Sequence, residues 1–280
     1  MELSLGVTLA VLGAALLHAS WNAMIKASSD TLLDTALVCL CGSAVTLPLL
    51  FVAAPPAVAS WPYLAGSLVL HIGYFFAIAG AYKAGDLSHG YPIMRGVAPL
   101  IVVFAALALF GEAVRPAMWL GVGLICGGVL SLGLAGYDWK HSRAATGWAL
   151  FNAAIIAGYT LVDAAGVRVS GSPAGYVLWM FFLDCIPFGL IVLALRRGEL
   201  VRYVGRNWHR GLVGGACSAG AYGIAVWAMA RAPVGAVAAL RECSVVFAAL
   251  IGTWILKEGH IRSRVAGAAA VVAGVVALKL

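Results

Sequence analysis

The chain has 280 residues, 63% of them hydrophobic and 10% charged, with a formal net charge of +7. A mean hydropathy of +0.99 is far above what a water-exposed surface tolerates, which excludes an ordinary soluble domain. The eighteen Lys and Arg residues stand at the ends of apolar runs rather than in one patch, which excludes nucleic acid as a partner and matches the way membrane proteins place positive charge.

A helical span of a bilayer needs about 20 apolar residues. Punctuation by Gly, Pro and charge divides the chain into ten predicted spans, at 5–26, 33–54, 62–83, 90–110, 116–136, 145–166, 174–195, 209–230, 236–256 and 263–279. The residues before the first span include Glu2 and no Lys or Arg, so they lack the positive n-region of a signal peptide and the first span is expected to stay in the mature protein. The longest predicted connection, Arg196 to Arg210, is too short for a folded domain. The expected fold is therefore an all-α integral membrane protein whose only solvent besides water is the lipid bilayer.

An ionisable or strongly polar side chain within a span is costly, so each one is a functional candidate. In the first span Asn22 shares a face with His18. The second holds Pro48, and the third sets His71, Phe75, Ile78 and Tyr82 along one face. In the fourth, which contains Pro92 and Pro99, Tyr91 and Arg95 are four residues apart. An arginine there either holds a substrate carboxylate through two parallel hydrogen bonds or pairs with an acidic residue of a neighbouring helix. The fifth and tenth spans carry Gly121, Gly123, Gly127, Gly128, Gly267 and Gly274, small residues suited to packing within each half or in a homo-oligomer.

The sixth span sets Asn152, Tyr159 and Asp163 on one face at i, i+7 and i+11. Asp163 could bind an ammonium group, carry a proton or pair with Arg168. In the seventh, Asp184 shares a face with Tyr176 and Met180 just before Pro187, which reads as support for a kink. The eighth offers Tyr222 and Trp227, aromatic groups that can sort substrates by size. In the ninth, Arg241 and Glu242 are neighbours and point about 100° apart, so at most one faces a cavity directly. The six cysteines lie inside apolar runs and read as buried thiols, with no metal site and no cofactor expected.

Weak internal similarity connects the two halves. Pro99 to Glu112 resembles Ser244 to Glu258, and an offset of 146 residues superposes Arg95 on Arg241 and Glu112 on Glu258. Allowing for gaps, Asn22 aligns with Asp163. Repeats five helices apart imply halves of opposite membrane orientation, 1–140 and 141–280, forming one transport unit. Twelve Lys and Arg residues follow odd-numbered spans against four on the other side, so the positive-inside rule puts both termini outside.

The Phe-Ala-Ala-Leu stretches closing in Glu112 and Glu258, the apolar hairpin after each, and Ala19-Ser-Trp-Asn22 resemble the EamA-type members of the drug/metabolite transporter superfamily. The resemblance implies a ten-helix basket of inverted repeats in which the first, third, fourth, sixth, eighth and ninth helices border a central cavity. Size and hairpin pattern are similar to those of bacterial inner-membrane exporters of amino acids, the YddG type. One departure is that many relatives carry basic residues between the second and third spans, whereas Ala53 to Pro62 has none.

The expected function is export of a small zwitterionic metabolite by alternating access. Arg95 would hold the carboxylate, Asp163 or Glu242 the amine, and His71, Tyr82 and Trp227 would shape the side-chain site, with Asn22 and Tyr91 as further substrate-binding candidates. Efflux of cationic or hydrophobic drugs is the alternative. A lipid-modifying enzyme is disfavoured because no metal-ligand cluster, nucleophile–base motif or phosphate loop is visible.

Overall fold

The computed structural model describes residues 3–84, 87–134, 143–254 and 261–279, and these are helical apart from short connections. In chain order the helices are α1 (Leu5–Lys26), α2 (Thr31–Thr46), α3 (Trp61–Ala84), α4 (Leu87–Phe110), α5 (Pro116–Leu134), α6 (Arg143–Val169), α7 (Pro173–Met229), α8 (Val234–Arg241), α9 (Cys243–Trp254) and α10 (Ile261–Ala277). Among the described residues five of them, or parts of them, are long and apolar enough to cross a membrane: Leu5–Lys26, Thr31–Phe51, Gly90–Phe110, Arg143–Val169 and Pro173–Met229. The chain is thus a multi-pass membrane protein.

Local chemistry sets the helix ends. Ser4 caps α1 by accepting the Val7 amide at 3.2 Å, and Ser172 caps α7 by accepting the Gly175 amide at 3.2 Å, with Pro173 fitting the first turn. Pro48 ends α2 in a 3₁₀ turn, Leu47–Phe51, since it cannot continue the ladder of hydrogen bonds. Gly111, at φ 61°, ends α4 in the left-handed conformation that glycine adopts without strain.

Two predicted boundaries change. The stretch from Arg196 to Arg210 is helical rather than a loop: α7 runs 57 residues and breaks only at Arg196, where φ is −142° and ψ 44°. The break divides α7 into a first arm, 173–195, and a second, 197–229. Leu200, Tyr203 and Val204 form an apolar stripe inside this arginine-rich stretch and pack with Leu33, Ala36 and Val192. Tyr203 Oη donates to Asp34 Oδ1 at 3.1 Å, and Arg210 donates to Asp34 Oδ2 at 3.3 Å. The predicted ninth span is interrupted at Glu242, between α8 and α9.

Asp30 caps α2 from outside the spans, accepting the Leu32 and Leu33 amides at 3.1 Å each and the Arg196 guanidinium at 2.6 Å. The Leu33 amide first, and then Arg196, hold its carboxyl below the ordinary value of 3.8. A depressed folded pKa adds stability above the unfolded value, and that stability is lost as pH falls through the folded value. Thermal stability in detergent is expected to fall on acidification below the ordinary carboxylate pKa, and Asp30→Asn is expected to remove that part of the decline. Parallel pH profiles for both proteins would contradict the assignment.

Helices α1 and α6 occupy matching places. The first packs against α7, α8 and α9, the second against α3 and α4. Helix α2 packs against both arms of α7, and a Cβ at Gly215 would collide with the Gly42 backbone, so the two helices meet glycine on glycine. The Gly-rich α5 and α10 pack on each other: a Cβ at Gly128 would lie 2.8 Å from the Gly267 carbonyl oxygen, and one at Gly274 2.7 Å from that of Gly121. Those glycines are spent inside the chain, while Gly123 and Gly127 face outward with nothing near.

Candidate substrate cavity

A cavity of about 150 Å³ lies between α1, α2, α3, α4, α6 and both arms of α7, and reaches Arg241 at the end of α8. Helix α2 and the first arm of α7 therefore join the wall, beyond the six helices that the resemblance implied. Asn22, Thr35 and Tyr91 place it in the part of the molecule nearest the α1–α2 turn. The opposite part is filled by an apolar cluster that includes Val11, Val103, Val122, Val237 and Met229.

One side of the cavity is cationic. The Nε of Arg95 lies 2.8 Å from Glu242 Oε2, and its Nη2 donates to Ser244 Oγ at 3.3 Å. Both members of the pair are buried, at 6% and 3% exposure. The Nε and Oε2 approach at an angle that completes no hydrogen bond, so the contact is coulombic. Arg241, one residue before Glu242, lies on the cavity wall with its guanidinium 4.9 Å from the Tyr222 ring centroid. Among the described residues no carboxylate forms an ion pair with it. The break at Glu242 explains the arrangement: α8 ends on Arg241, where the helix dipole favours a cation, and Glu242 turns away toward α4. Close by, Trp21 meets His18 edge-on at 5.2 Å, and its Nε1–H is buried without a partner. Asn22 donates to the His18 carbonyl at 2.8 Å, which leaves its amide oxygen to accept.

The other side is acidic. Asp184 lines the cavity with a buried Oδ1 that has no hydrogen-bond partner and lies 4.0 Å from His71 Nδ1. The His71 ring stacks on Tyr159 at 4.3 Å, and its Nδ1 lies 2.9 Å from the Ser67 carbonyl oxygen and 3.2 Å from the Ser67 hydroxyl. Behind this wall Asp163 is fully buried, accepting from Tyr176 Oη at 3.0 Å and Tyr222 Oη at 2.6 Å.

Four of the eight predicted site residues, Asn22, His71, Tyr91 and Arg95, share this cavity. Asp163 and Glu242 stand behind the wall, holding Tyr222 and Arg95 respectively. Asp163 does not take the Arg168 pairing open to it from sequence, since that arginine is held by Glu112. Trp227 lies off the wall, with its ring 4.4 Å from the Arg231 guanidinium beside the apolar cluster. The side chain of Tyr82 lies outside the described residues. Asp184 was read as support for a kink, yet it is the carboxylate that reaches the cavity. The face it shares with Tyr176 and Met180 was the available signal, and what was missing was knowledge of which helix lay opposite.

At the far end of the apolar cluster, Glu112 joins four helix ends. Its Oε1 accepts from Arg168 Nη2 at 2.6 Å, and its Oε2 accepts the Val234 amide at 2.9 Å. Arg168 also donates to the Met229 carbonyl at 3.1 Å and lies 4.9 Å from the Phe110 ring centroid. Glu258, the repeat counterpart of Glu112, lies outside the described residues.

A crystal structure of another protein aligns with 98% of this chain and 98% of its own, with a TM-score of 0.76 and 19% identity, a likeness of fold alone. No curated protein matches the sequence significantly. The half of the chain that carries Asp163, Asp184, Tyr222 and Arg241 is similar in sequence to the EamA-like transporter family, over residues 144–280.

Proposed function

We propose that the whole chain is an EamA-type secondary transporter of ten spans, two inverted halves at 1–140 and 141–280, moving a small zwitterionic metabolite, an amino acid, across the bacterial inner membrane. The exchange of places between α1 and α6 supports the inverted halves, as does the start of the family match near the proposed boundary. By the positive-inside rule the arginines from Arg196 to Arg210 face the cytoplasm and both termini lie outside. The cavity then stands on the cytoplasmic side and the Glu112 junction closes the outer one.

The observation that carries the substrate reading is a single cavity with Arg241, a guanidinium in no ion pair among the described residues, on one side and a carboxylate with an unpartnered oxygen, Asp184, on the other. Arg241 holds the substrate carboxylate, aided by the Trp21 donor. Arg95, already engaged by Glu242, sets the position of the α8–α9 break instead. Asp184 and His71 meet the ammonium group. Neither charged end alone fills both sites, which separates amino acids from simple amines and simple acids.

A thermal-shift panel tests this reading, because a ligand stabilises the state it binds by RT ln(1 + [L]/Kd). Free amino acids are expected to raise Tm, while their amine and carboxylic-acid fragments at equal concentration do not. A shift produced by lipophilic cations and by no amino acid would favour drug efflux instead.

A further inference from the structure

Cys39 on α2 and Cys185 on the first arm of α7 both line the cavity. Their helices approach closely around the pair. Ser43 Oγ donates to the Phe181 and Phe182 carbonyls at 3.4 Å each, and a Cβ at Gly189 would lie 2.9 Å from Leu40 Cδ2. Phe181 and Gly189 stand one turn before and one turn after Cys185, and Ser43 stands one turn after Cys39. Within this packed seam the two thiols meet at hydrogen-bonding reach of each other, and the Ser43 hydroxyl reaches Cys185 as well. Both thiols are free.

Their surroundings give the two thiols different roles. Cys39 is partly exposed and keeps surface at the cavity, whereas Cys185 is buried, at 4% exposure. An accessible thiol beside a buried partner is the arrangement of an attacking and a resolving cysteine. Asp184, the carboxylate of the acidic wall, directly precedes Cys185, so a change at this thiol is felt at the cavity. Among the described residues no group of three or more His, Cys, Asp and Glu side chains is placed to hold a metal ion, which favours thiol–disulfide chemistry over a multi-ligand metal centre.

We propose that Cys39 and Cys185 form a redox site that a small disulfide entering the cavity oxidises, and that the resulting bond between them shuts the substrate site. The reachable Cys39 thiol attacks the reagent. The reagent's S–S bond breaks, a mixed disulfide forms on Cys39, and the first small thiol leaves with the Cys39 proton. Cys185 then attacks the Cys39 sulfur and releases the second small thiol with its own proton. Two protein thiols are oxidised to one disulfide, and one small disulfide is reduced to two thiols. Drawing the sulfurs from contact to a bond of about 2 Å pulls the first arm of α7 toward α2 and displaces Asp184 with it. On the cytoplasmic side, where small thiols keep cysteines reduced, the pair is open at rest and closes when disulfides accumulate. The shutting of the site rests on the zwitterion reading, whereas the bond itself does not.

Two measurements separate these. Peptide mapping tests the bond on the unaltered chain: protein in detergent treated with bis(hydroxyethyl) disulfide is expected to yield peptides linked through Cys39 and Cys185. The link should disappear after dithiothreitol, and Cys126 and Cys243, inside the apolar cluster, should stay free throughout. Recovery of Cys39 and Cys185 as free thiols, or of Cys39 only as the mixed disulfide, overturns the site. In proteoliposomes the same reagent is expected to abolish amino-acid counterflow, dithiothreitol to restore it, and Cys185→Ala to resist the reagent. Full counterflow in the linked protein, or equal loss in Cys185→Ala, would overturn the shutting by the bond and leave the zwitterion reading standing. Absence of any amino-acid transport in the reduced protein would sink that reading, and the shutting with it, while the peptide map still decides the bond.

Discussion

Replacing Arg241 with alanine is expected to raise the KM for a zwitterionic substrate about 100-fold, equivalent to about 2.8 kcal/mol. Truncating one partner of a desolvated, hydrogen-bonded charge pair costs about 2–5 kcal/mol, and among the described residues the guanidinium of Arg241 is in no ion pair before substrate arrives. Arg241→Lys should recover only part of the loss, because an ammonium point charge cannot reproduce two parallel hydrogen bonds. Arg95→Ala should behave differently. It leaves Glu242 buried and unpaired, so its main cost falls on folding, about 3–5 kcal/mol, and Arg95→Ala with Glu242→Gln should restore yield and Tm. Uptake kinetics and thermal unfolding of the four variants measure both effects. Equal KM defects in Arg241→Ala and in the Arg95→Ala, Glu242→Gln double variant would return the carboxylate site to Arg95.

Removal of the Glu112 carboxylate is expected to open the plugged half of the molecule. Glu112 neutralises Arg168 and caps α8 at Val234, so Glu112→Ala removes the carboxylate facing a guanidinium and the cap of a helix N-terminus together. The two side chains are 11% and 19% exposed, so the penalty falls short of the fully buried limit, at about 2 kcal/mol. That shifts a two-state equilibrium roughly 30-fold. Native Cys126 and Cys243 sit inside the apolar cluster and report its opening without added probes. Their alkylation by a membrane-impermeant maleimide should quicken about 30-fold in Glu112→Ala, and an unchanged rate would show that the junction is structural only.

The spans were legible because bilayer thickness imposes a length on apolar runs, and α1, α3, α4 and α6 fall within a few residues of their predicted places. The stretch from Arg196 to Arg210 was misread since its charges hide an apolar stripe that only α2 reveals. The break at Glu242 has no proline or glycine to announce it; it is set by the Arg95 contact, between residues far apart in the chain. The same holds at the cavity. Sequence periodicity grouped Tyr91 with Arg95 and Asn22 with His18, each on one helix. It could not tell which of several carboxylates would face them from other helices, so Asp184 was passed over and Asp163 and Glu242 were favoured. Tertiary contact, not propensity, made that choice.

Counterflow in proteoliposomes tests the transport reading most directly. Vesicles preloaded with an unlabelled amino acid should take up the same labelled amino acid faster than empty vesicles, and Arg241→Ala should abolish the acceleration. No acceleration with any amino acid, together with counterflow of a lipophilic cation that survives Arg241→Ala, would contradict it.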